Sequence, residues 1–191
     1  MQYEVAPVIE EVEIFMATVD DALPLPRIAA EFVHFLVLAT GAQRVVEIGT
    51  SYGYSGLWIA SALAETSGTL ITVDHEERKS GAARQYFESA GLGGRIEIQT
   101  GKAEHVLKSI TGPIDFVLND ADKENCIRYV ELLADKLADR AVILTDNIDT
   151  HRAQLAEFIE WIDLHPNFES VSLPLGNGME FSVHHKGGVR R

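Results

Sequence analysis

The sequence predicts an α/β protein with a doubly wound, mostly parallel sheet, and three observations predict it. Residues 1–40 carry apolar side chains only at helical spacing. After Gly41, short runs rich in β-branched and aliphatic residues alternate with longer helical runs. The last two β-rich runs follow each other with turn residues between them, which leaves no room for a helix. We therefore expect seven strands, of which the last two form an antiparallel hairpin.

The N-terminal layer, residues 1–40, is predicted to contain two helices. Apolar residues recur on one face of the first helix, over residues 8–19: Val8, Val12, Phe15 and Val19. Pro24 and Pro26 separate it from a second helix, because proline cannot continue a helical ladder. The second helix carries Ile28, Phe32, Leu36 and Ala39.

Residues 41–185 form the predicted core. Its first five strands are expected at 44–48, 69–73, 95–99, 115–119 and 141–145. The helices between and after them are expected at 54–65, 76–90, 103–110, 124–137 and 151–164. The hairpin pairs 168–173 with 179–184 around Pro174, Gly176 and Gly178. The whole chain, 1–191, is thus predicted to be a single domain with a Rossmann-like core.

Composition limits the class of partner. The formal net charge of −13 argues against a nucleic acid or an anionic membrane, because both require a basic surface. A small molecule is the expected partner. The N-terminus shows no basic region followed by an apolar run, and Cys126 is the single cysteine of the chain. We therefore expect a cytoplasmic protein.

The first predicted strand runs into a glycine-rich turn, Glu47 to Gly56, which is typical of a nucleotide-like ligand site. Gly49 and Gly53 are expected to let the backbone approach the ligand closely. The spacing is G-x-x-x-G-x-x-G, whereas a dinucleotide pyrophosphate requires G-x-G-x-x-G. Glu47 would repel a pyrophosphate and attract an ammonium, so an amino-acid head group fits better.

The remaining turn residues supply the contacts to that head group. Its carboxylate is expected at the start of the following helix and Ser55, beside Thr50 and Ser51. Its ammonium is expected at backbone carbonyl groups near Glu47 or Gly49.

Asp74 ends the second strand about twenty-five residues after the turn begins, which favours binding of two ribose hydroxyls. Its alternative role is to cap the next helix. His75 is expected along an adenine ring or facing solvent, and Gly101 and Ala103 are expected at the adenine edge. An amino acid joined to adenosine is S-adenosylmethionine.

The chain resembles the cation-dependent class I O-methyltransferases, the group of the catechol and caffeoyl-coenzyme A O-methyltransferases, over residues 28–185. The resemblance rests on the glycine-rich turn, on Asp74 and on the motifs NDADKEN (119–125), TDN (145–147) and LPLGNG (173–178). It implies that Asp120, Asp146 and Asn147 bind a divalent metal. It also implies Lys123 as the base and a homodimer.

Chemistry supports the implied metal ligands independently. Two carboxylates and an amide oxygen form a hard-oxygen set suited to Mg²⁺, Mn²⁺ or Ca²⁺. Asp120 is expected to contact both the cofactor and the metal, and with Lys123 it forms the predicted catalytic pair. Turn and cap roles for Asp120 and Asp146, and a solvated lysine at 123, are the alternatives. The expected reaction is methylation of a small hydroxylated, catechol-like acceptor.

Two other functions compete. Gly49 to Gly53 also matches G-x-S-x-G, the nucleophile turn of α/β-hydrolases, with Ser51 as nucleophile and Asp146 followed by His151 or His184. Against it, that fold needs several strands before the turn, where this chain predicts helices. The other alternative is a non-catalytic S-adenosylmethionine-binding or dimerisation module.

Overall fold

The structure, a computed structural model, describes residues 5–189; the first four residues of the predicted N-terminal layer and the last two of the chain lie outside them. Two helices form the N-terminal layer, α1 (Val5–Met16) and α2 (Arg27–Thr40). Helix α1 ends three residues before the predicted boundary, and Val19 lies in the following segment, half-buried against the core. Helix α2 ends at Gly41, whose φ of 64° is in the left-handed region that favours glycine.

The other helices and the strands follow the predicted alternation. The strands are β1 (Arg44–Ile48), β2 (Thr69–Asp74), β3 (Ile96–Thr100), β4 (Ile114–Asn119), β5 (Leu137–Asp146), β6 (Phe168–Leu173) and β7 (Met179–His184). The helices are α3 (Tyr54–Thr66), α4 (Glu77–Ser89), α5 (Ala103–Ser109), α6 (Cys126–Leu133) and α7 (Arg152–Leu164).

The seven strands form one mixed sheet in the order β3-β2-β1-β4-β5-β7-β6. Strands β1 to β5 are parallel, and β7 pairs antiparallel with both β5 and β6. The predicted sheet and its C-terminal hairpin are confirmed. The winding reverses between β1 and β4, and ligands of such sheets bind in the crevice beyond the strand ends at this point.

One region departs from the prediction. Strand β5 begins at Leu137, not at residue 141, and the helix expected over 124–137 is the shorter α6 with a 3-10 turn at each end. Leu137 pairs with Ile114, and the register then shifts before Phe116 pairs with Val142. The polar Asp139 and Arg140 in this irregular stretch hide the strand from a hydrophobicity pattern.

Each face of the sheet carries its own hydrophobic cluster. One cluster packs beneath α1 to α4 and includes Val45, Leu70 and Phe116; the other packs beneath α5 to α7 and includes Val46, Ile71 and Val117. The alternation along β1, β2 and β4 follows from the two-residue period of a strand. Among residues 5–189, no helix is both long and apolar enough to cross a membrane.

Candidate active site

A cavity of about 580 Å³ lies at the carboxyl ends of the central strands. Most of the predicted site residues line it: Gly49, Thr50, Ser51, Ser55, Asp74, His75, Gly101, Ala103, Asp120, Lys123 and Asn147. The lining does not include Glu47, Gly53 or Asp146, which lie behind it. The fold thus brings residues from five separate strand ends to one crevice.

The two glycines of the turn are required by packing against protein. A Cβ on Gly49 would lie 2.4 Å from the backbone oxygen of Asp120, where β1 and β4 end side by side. A Cβ on Gly53 would lie 2.9 Å from the Phe87 ring. Both residues also have positive φ, 110° and 86°. A neighbouring strand end and a ring thus constrain these two positions, and Gly49 also lines the cavity. Close approach of a ligand to the two glycines stays a prediction.

Glu47 is fully buried beneath the turn. Thr72 donates a hydrogen bond of 2.6 Å to its Oε2 atom, and the Thr50 and Thr72 hydroxyl oxygens are 2.6 Å apart. Since Thr72 uses its proton on Glu47, Thr50 donates to Thr72. Burial raises the pKa of Glu47 to about 7, against the opposing effect of the Ser55 and Thr72 hydroxyls. Ser55 lines the cavity, and its contact with a ligand carboxylate stays a prediction.

Asp74 is fixed by two backbone N–H groups. Its Oδ2 atom accepts from Ser51 at 2.7 Å, and its Oδ1 atom accepts from Glu76 at 2.9 Å. The alternative capping role is not seen, because the N-cap residue of α4 is Glu76 and no side chain among residues 5–189 caps that helix. Asp74 lines the cavity, and its contact with ribose hydroxyls stays a prediction. His75 is 76% exposed and lies 3.6 Å from Asp74.

Asp120, Asp146 and Asn147 meet where the adjacent parallel strands β4 and β5 end. The Asn147 amide nitrogen lies 3.0 Å from Asp120 Oδ1 and 2.7 Å from Asp146 Oδ2, so that it donates to both carboxylates. Lys123 Nζ lies 3.0 Å from the same Asp120 oxygen. The predicted ligand set and the predicted base therefore form one cluster.

The surroundings of the two carboxylates in this cluster disfavour their ionised forms. Burial, followed by the nearby charge of Asp120, raises the pKa of Asp146 to about 7. Burial also raises the pKa of Asp120, against the opposing effect of Lys123. Asp146 Oδ1 is buried and has no hydrogen-bond partner among residues 5–189. A buried carboxylate oxygen without a partner is costly, which is the setting a cation relieves.

The residues fit a divalent cation. Within the part of the chain that the structure describes, no cluster of three or more His, Cys, Asp or Glu side chains has metal-site geometry. The candidate set instead combines two carboxylates with a carboxamide. Asn147 Oδ1 accepts from Thr150 at 3.2 Å, while the amide nitrogen faces the two carboxylates. A half-turn of the amide group would place its oxygen atom beside the carboxylates instead. The set would then offer three hard oxygen atoms, which Mg²⁺ and Mn²⁺ prefer.

Sequence reasoning missed the contacts that hold the α1–α2 linker over the cavity. Tyr52 donates to Asp21 Oδ1 at 2.8 Å and accepts from Arg78 at 2.7 Å. Arg78 also pairs with Asp21, and Lys79 donates to the Asp21 backbone oxygen at 3.1 Å. The tyrosines beside Gly53 were the available signal, because aromatic residues that carry a hydroxyl require a polar partner when buried.

A second tyrosine anchors the helices that flank this linker. The Tyr54 hydroxyl donates to Glu13 Oε1 at 2.6 Å, and Arg27 pairs with Glu13 at 3.0 Å. Tyr54, Met16 and Leu25 all line the cavity. The linker therefore forms one wall of the site.

The hydrolase alternative is not supported. His184 bonds to Ala138 at the beginning of β5, whereas Asp146 ends that strand, so these two residues lie at opposite edges of the sheet. His151 does line the cavity together with Ser51. However, the described residues before β1 form helices and no strand, so the strands that a hydrolase places before its nucleophile are absent there.

Comparison with known proteins decides the family. The profile of a family described as O-methyltransferase matches residues 7–184. The chain belongs to the O-methyltransferase family. A catechol O-methyltransferase from Mycobacterium tuberculosis is 40% identical over 144 residues, which cover 72% of this chain and 64% of that protein. Caffeoyl-CoA O-methyltransferase 1 from Arabidopsis thaliana is 28% identical over 173 residues, 78% of this chain and 66% of that protein.

Solved structures of O-methyltransferases share the fold. The O-methyltransferase from Bacillus cereus in complex with SAH superposes with a TM-score of 0.84 at 28% identity, over 93% of this chain and 90% of that chain. The matches to the catechol and caffeoyl-CoA enzymes each span less than two thirds of those proteins. Family membership supports neither the hydrolase nor the non-catalytic module.

Proposed function

We propose that the protein is an S-adenosylmethionine-dependent, divalent-cation-assisted O-methyltransferase that acts on a small hydroxylated, catechol-like acceptor. The observation that carries the proposal is the convergence of Asp120, Asp146 and Asn147 at one edge of the central cavity, with Lys123 in contact. The relatives support it, because two of them are named for catechol and caffeoyl-CoA and the Bacillus cereus structure contains SAH.

The cofactor would occupy the half of the cavity formed by β1, β2 and β3. The first turn of α3 has N–H groups without helical acceptors, which suit the carboxylate of the amino-acid part. Asp74 would accept from the ribose hydroxyls, and Gly101 and Ala103 border the adenine position. Glu47 acts from behind the turn, where its charge would favour the ammonium and sulfonium groups.

Asp120, Asp146 and Asn147 would hold the cation, which would lower the pKa of an acceptor hydroxyl. Lys123, whose Nζ atom lies 3.0 Å from Asp120 Oδ1, would receive the proton of that hydroxyl in its neutral form, once the cation balances Asp120 in its place. S-adenosylmethionine would supply the methyl group, so that the new O–C bond would form as the S–C bond breaks and the thioether leaves. The chain contributes mainly orientation, since both reactants occupy one crevice.

A turnover screen tests this function. Vicinal-diol aromatics are incubated with methyl-labelled donor, with Mg²⁺ and with EDTA. We expect label in the product only with Mg²⁺ and only for acceptors with adjacent hydroxyls. Equal turnover in EDTA would remove the cation from the proposal, and labelling of monohydroxylated acceptors alone would remove the catechol class.

Homodimer formation is part of the proposal. Ile28 and Phe35 lie two helical turns apart on α2 and are 56% and 63% exposed, which gives a second copy an apolar stripe to cover. Sedimentation of the wild type and of Phe35→Ser checks it, with a dimer expected only for the wild type. The cytoplasmic location and the exclusion of nucleic acid and membrane partners stay predictions.

A further inference from the structure

A second cavity of about 410 Å³ lies beside the first, between the end of α1 and the start of α2. We call it the α1–α2 groove, and its lining consists of Glu13, Met16, Ala17, Pro24, Leu25, Pro26, Arg27 and Tyr54. Four of these residues, Met16, Pro24, Leu25 and Tyr54, also line the main cavity. The two cavities therefore adjoin along these four residues, and the main cavity continues from there to Asp120.

The charged groups of the groove are already paired with each other. Glu13 accepts from Tyr54 at 2.6 Å and from Arg27 at 3.0 Å, and Arg27 also pairs with Glu31 at 3.2 Å. The guanidinium group of Arg27 further lies 5.7 Å from the centre of the Trp58 ring. No unpaired charge remains among the lining residues to recognise an ion. What the groove offers a ligand is apolar surface.

The β6–β7 turn packs against Pro26, one of the residues that line the groove. A Cβ on Gly176 would approach Pro26 to 3.1 Å and Ala29 to 3.2 Å. The linker is thus held between this turn and the glycine-rich turn, where Tyr52 bonds to Asp21. Both ends of the groove's wall are fixed, so the groove is formed before any ligand binds, as small-molecule subsites usually are.

We propose that the α1–α2 groove is an acceptor subsite that binds an uncharged apolar substituent of the methyl acceptor. The inference rests on the proposed function and narrows its substrate class to vicinal-diol aromatics that carry an alkyl or similar side chain. The diol would lie near Asp120 and Asn147, and the side chain would pass Met16 and Tyr54 into the groove. Each buried methylene should then strengthen binding about threefold to fourfold.

Acceptors of graded length test the proposal. KM and kcat are measured for catechol and for its 4-methyl, 4-ethyl, 4-propyl and 4-butyl derivatives. We expect KM to fall about threefold per added carbon while kcat changes little. 4-Aminoethylcatechol has the shape of the propyl compound but carries a charge, and its KM should exceed that of the propyl compound at least about tenfold, because the groove has no partner for an ammonium group.

Filling the groove supplies the matched variant. Ala17→Phe places a ring over the groove, whereas Ala156→Phe adds the same ring to an exposed position of α7. The length dependence should disappear in Ala17→Phe and persist in Ala156→Phe, and Ala156→Phe should keep the wild-type KM for catechol. A flat series in the wild type, or equal KM for the propyl and aminoethyl compounds, would overturn the subsite even if Ala17→Phe failed to fold.

Failure of the proposed function would look different. If the wild type turns over no catechol with Mg²⁺, binding of the same series to SAH-loaded protein is measured by calorimetry. A length dependence that Ala17→Phe removes still supports the subsite, and its absence overturns it. Dissociation of a dimer by Ala17→Phe, with no length dependence in the wild type, would assign the groove to a second copy and also overturn the proposal.

Discussion

The ends of β2 and β5 each carry an aspartate near the same crevice, Asp74 in its lining and Asp146 outside it, and the two carboxylates are held in different ways. Both oxygen atoms of Asp74 accept from backbone N–H groups, of Ser51 and Glu76. Asp146 receives one bond from the side chain of its neighbour Asn147, and its second oxygen has no partner among residues 5–189. The fold therefore holds both oxygen atoms of Asp74 in place without a ligand. It leaves one oxygen atom of Asp146 to be contacted by a bound group.

This difference suggests a division of work. On the β1–β2 side, the hydrogen bonds that fix the site residues are made within the chain. This suits a cofactor that lies in the same position before and after methyl transfer. The β4–β5 side concentrates negative charge, and Lys123 lies within hydrogen-bonding distance of Asp120 there. A cation would complete the second side without altering the first. Variants on the two sides should therefore fail in separable ways.

The largest effect is expected for Asp146→Ala. Loss of a cation ligand should lower turnover by roughly 10³-fold, since a bound cation supplies several kcal/mol of charge stabilisation. Affinity for SAH should stay within about threefold of the wild type, because Asp146 lies outside the cofactor half. Labelled-methyl turnover and calorimetry measure the two quantities. Asp139→Ala, at the opposite end of the same strand, is the control and should change neither.

The next effect is expected for Lys123→Met. Removal of a general base costs roughly 10²- to 10⁴-fold in kcat, and KM for the acceptor should change little. Lys123→Arg keeps the positive charge but cannot act as a base, so it should be as inactive as Lys123→Met, whereas a role in balancing Asp120 would be rescued by the arginine. A kcat within twofold of the wild type would return Lys123 to the role of a solvated lysine that balances Asp120.

A smaller, complementary effect is expected for Asp74→Asn. The variant keeps one oxygen for a backbone N–H group but loses the charge, so SAH affinity should fall about tenfold. Manganese affinity should be unchanged. Calorimetric titrations of each ligand into the same protein compare the two directly. Loss of manganese binding together with SAH binding would contradict the division between the two sides.

The last effect concerns stability and not activity. The pKa of Glu47 is raised to about 7 by burial, from an ordinary value of 4.5. Below pH 4.5 the group is protonated in both states; between 4.5 and 7 unfolding releases its proton, so stability falls as pH rises. Above pH 7 the full destabilisation is present. It amounts to about 3 kcal/mol, because a difference of one between the folded and unfolded pKa corresponds to about 1.4 kcal/mol. In Glu47→Gln this fall should be absent.

Chemical denaturation at pH 5 and pH 8 measures that prediction. The wild type should lose more stability between the two values than Glu47→Gln does. Asp146, whose pKa is also raised, contributes in the same direction to both proteins and cancels in the comparison. Equal losses would show that Glu47 is already ionised in the folded protein at pH 5.

The residues at the strand ends could be predicted from the sequence, because local patterns show where each strand ends. Ligands of parallel sheets bind at the carboxyl ends of the strands, which marks those residues as site candidates. Asp120 and Asp146 each follow an apolar run, so their meeting needed only that β4 and β5 be neighbours. The hairpin at 168–173 and 179–184 was predicted correctly for a similar reason, since Gly176 and Gly178 exclude a helix.

Contacts between distant segments could not be predicted in the same way. Nothing local to Asp21 or Tyr52 indicates that they meet across 31 residues, and the pairing depends on how α1 packs. The reason for Gly53 was missed because the neighbour that requires it, Phe87, lies on α4. The beginning of β5 was missed because Asp139 and Arg140 interrupt its apolar pattern.

The most direct test is crystallographic. Crystals grown with SAH and soaked in Mn²⁺ are measured at a wavelength where manganese scatters anomalously. The account predicts one peak per chain, in contact with oxygen atoms of Asp120, Asp146 and Asn147 and with the Asn147 amide turned to present its oxygen. Absence of a peak at full SAH occupancy, with Asn147 still donating to both carboxylates, would contradict it.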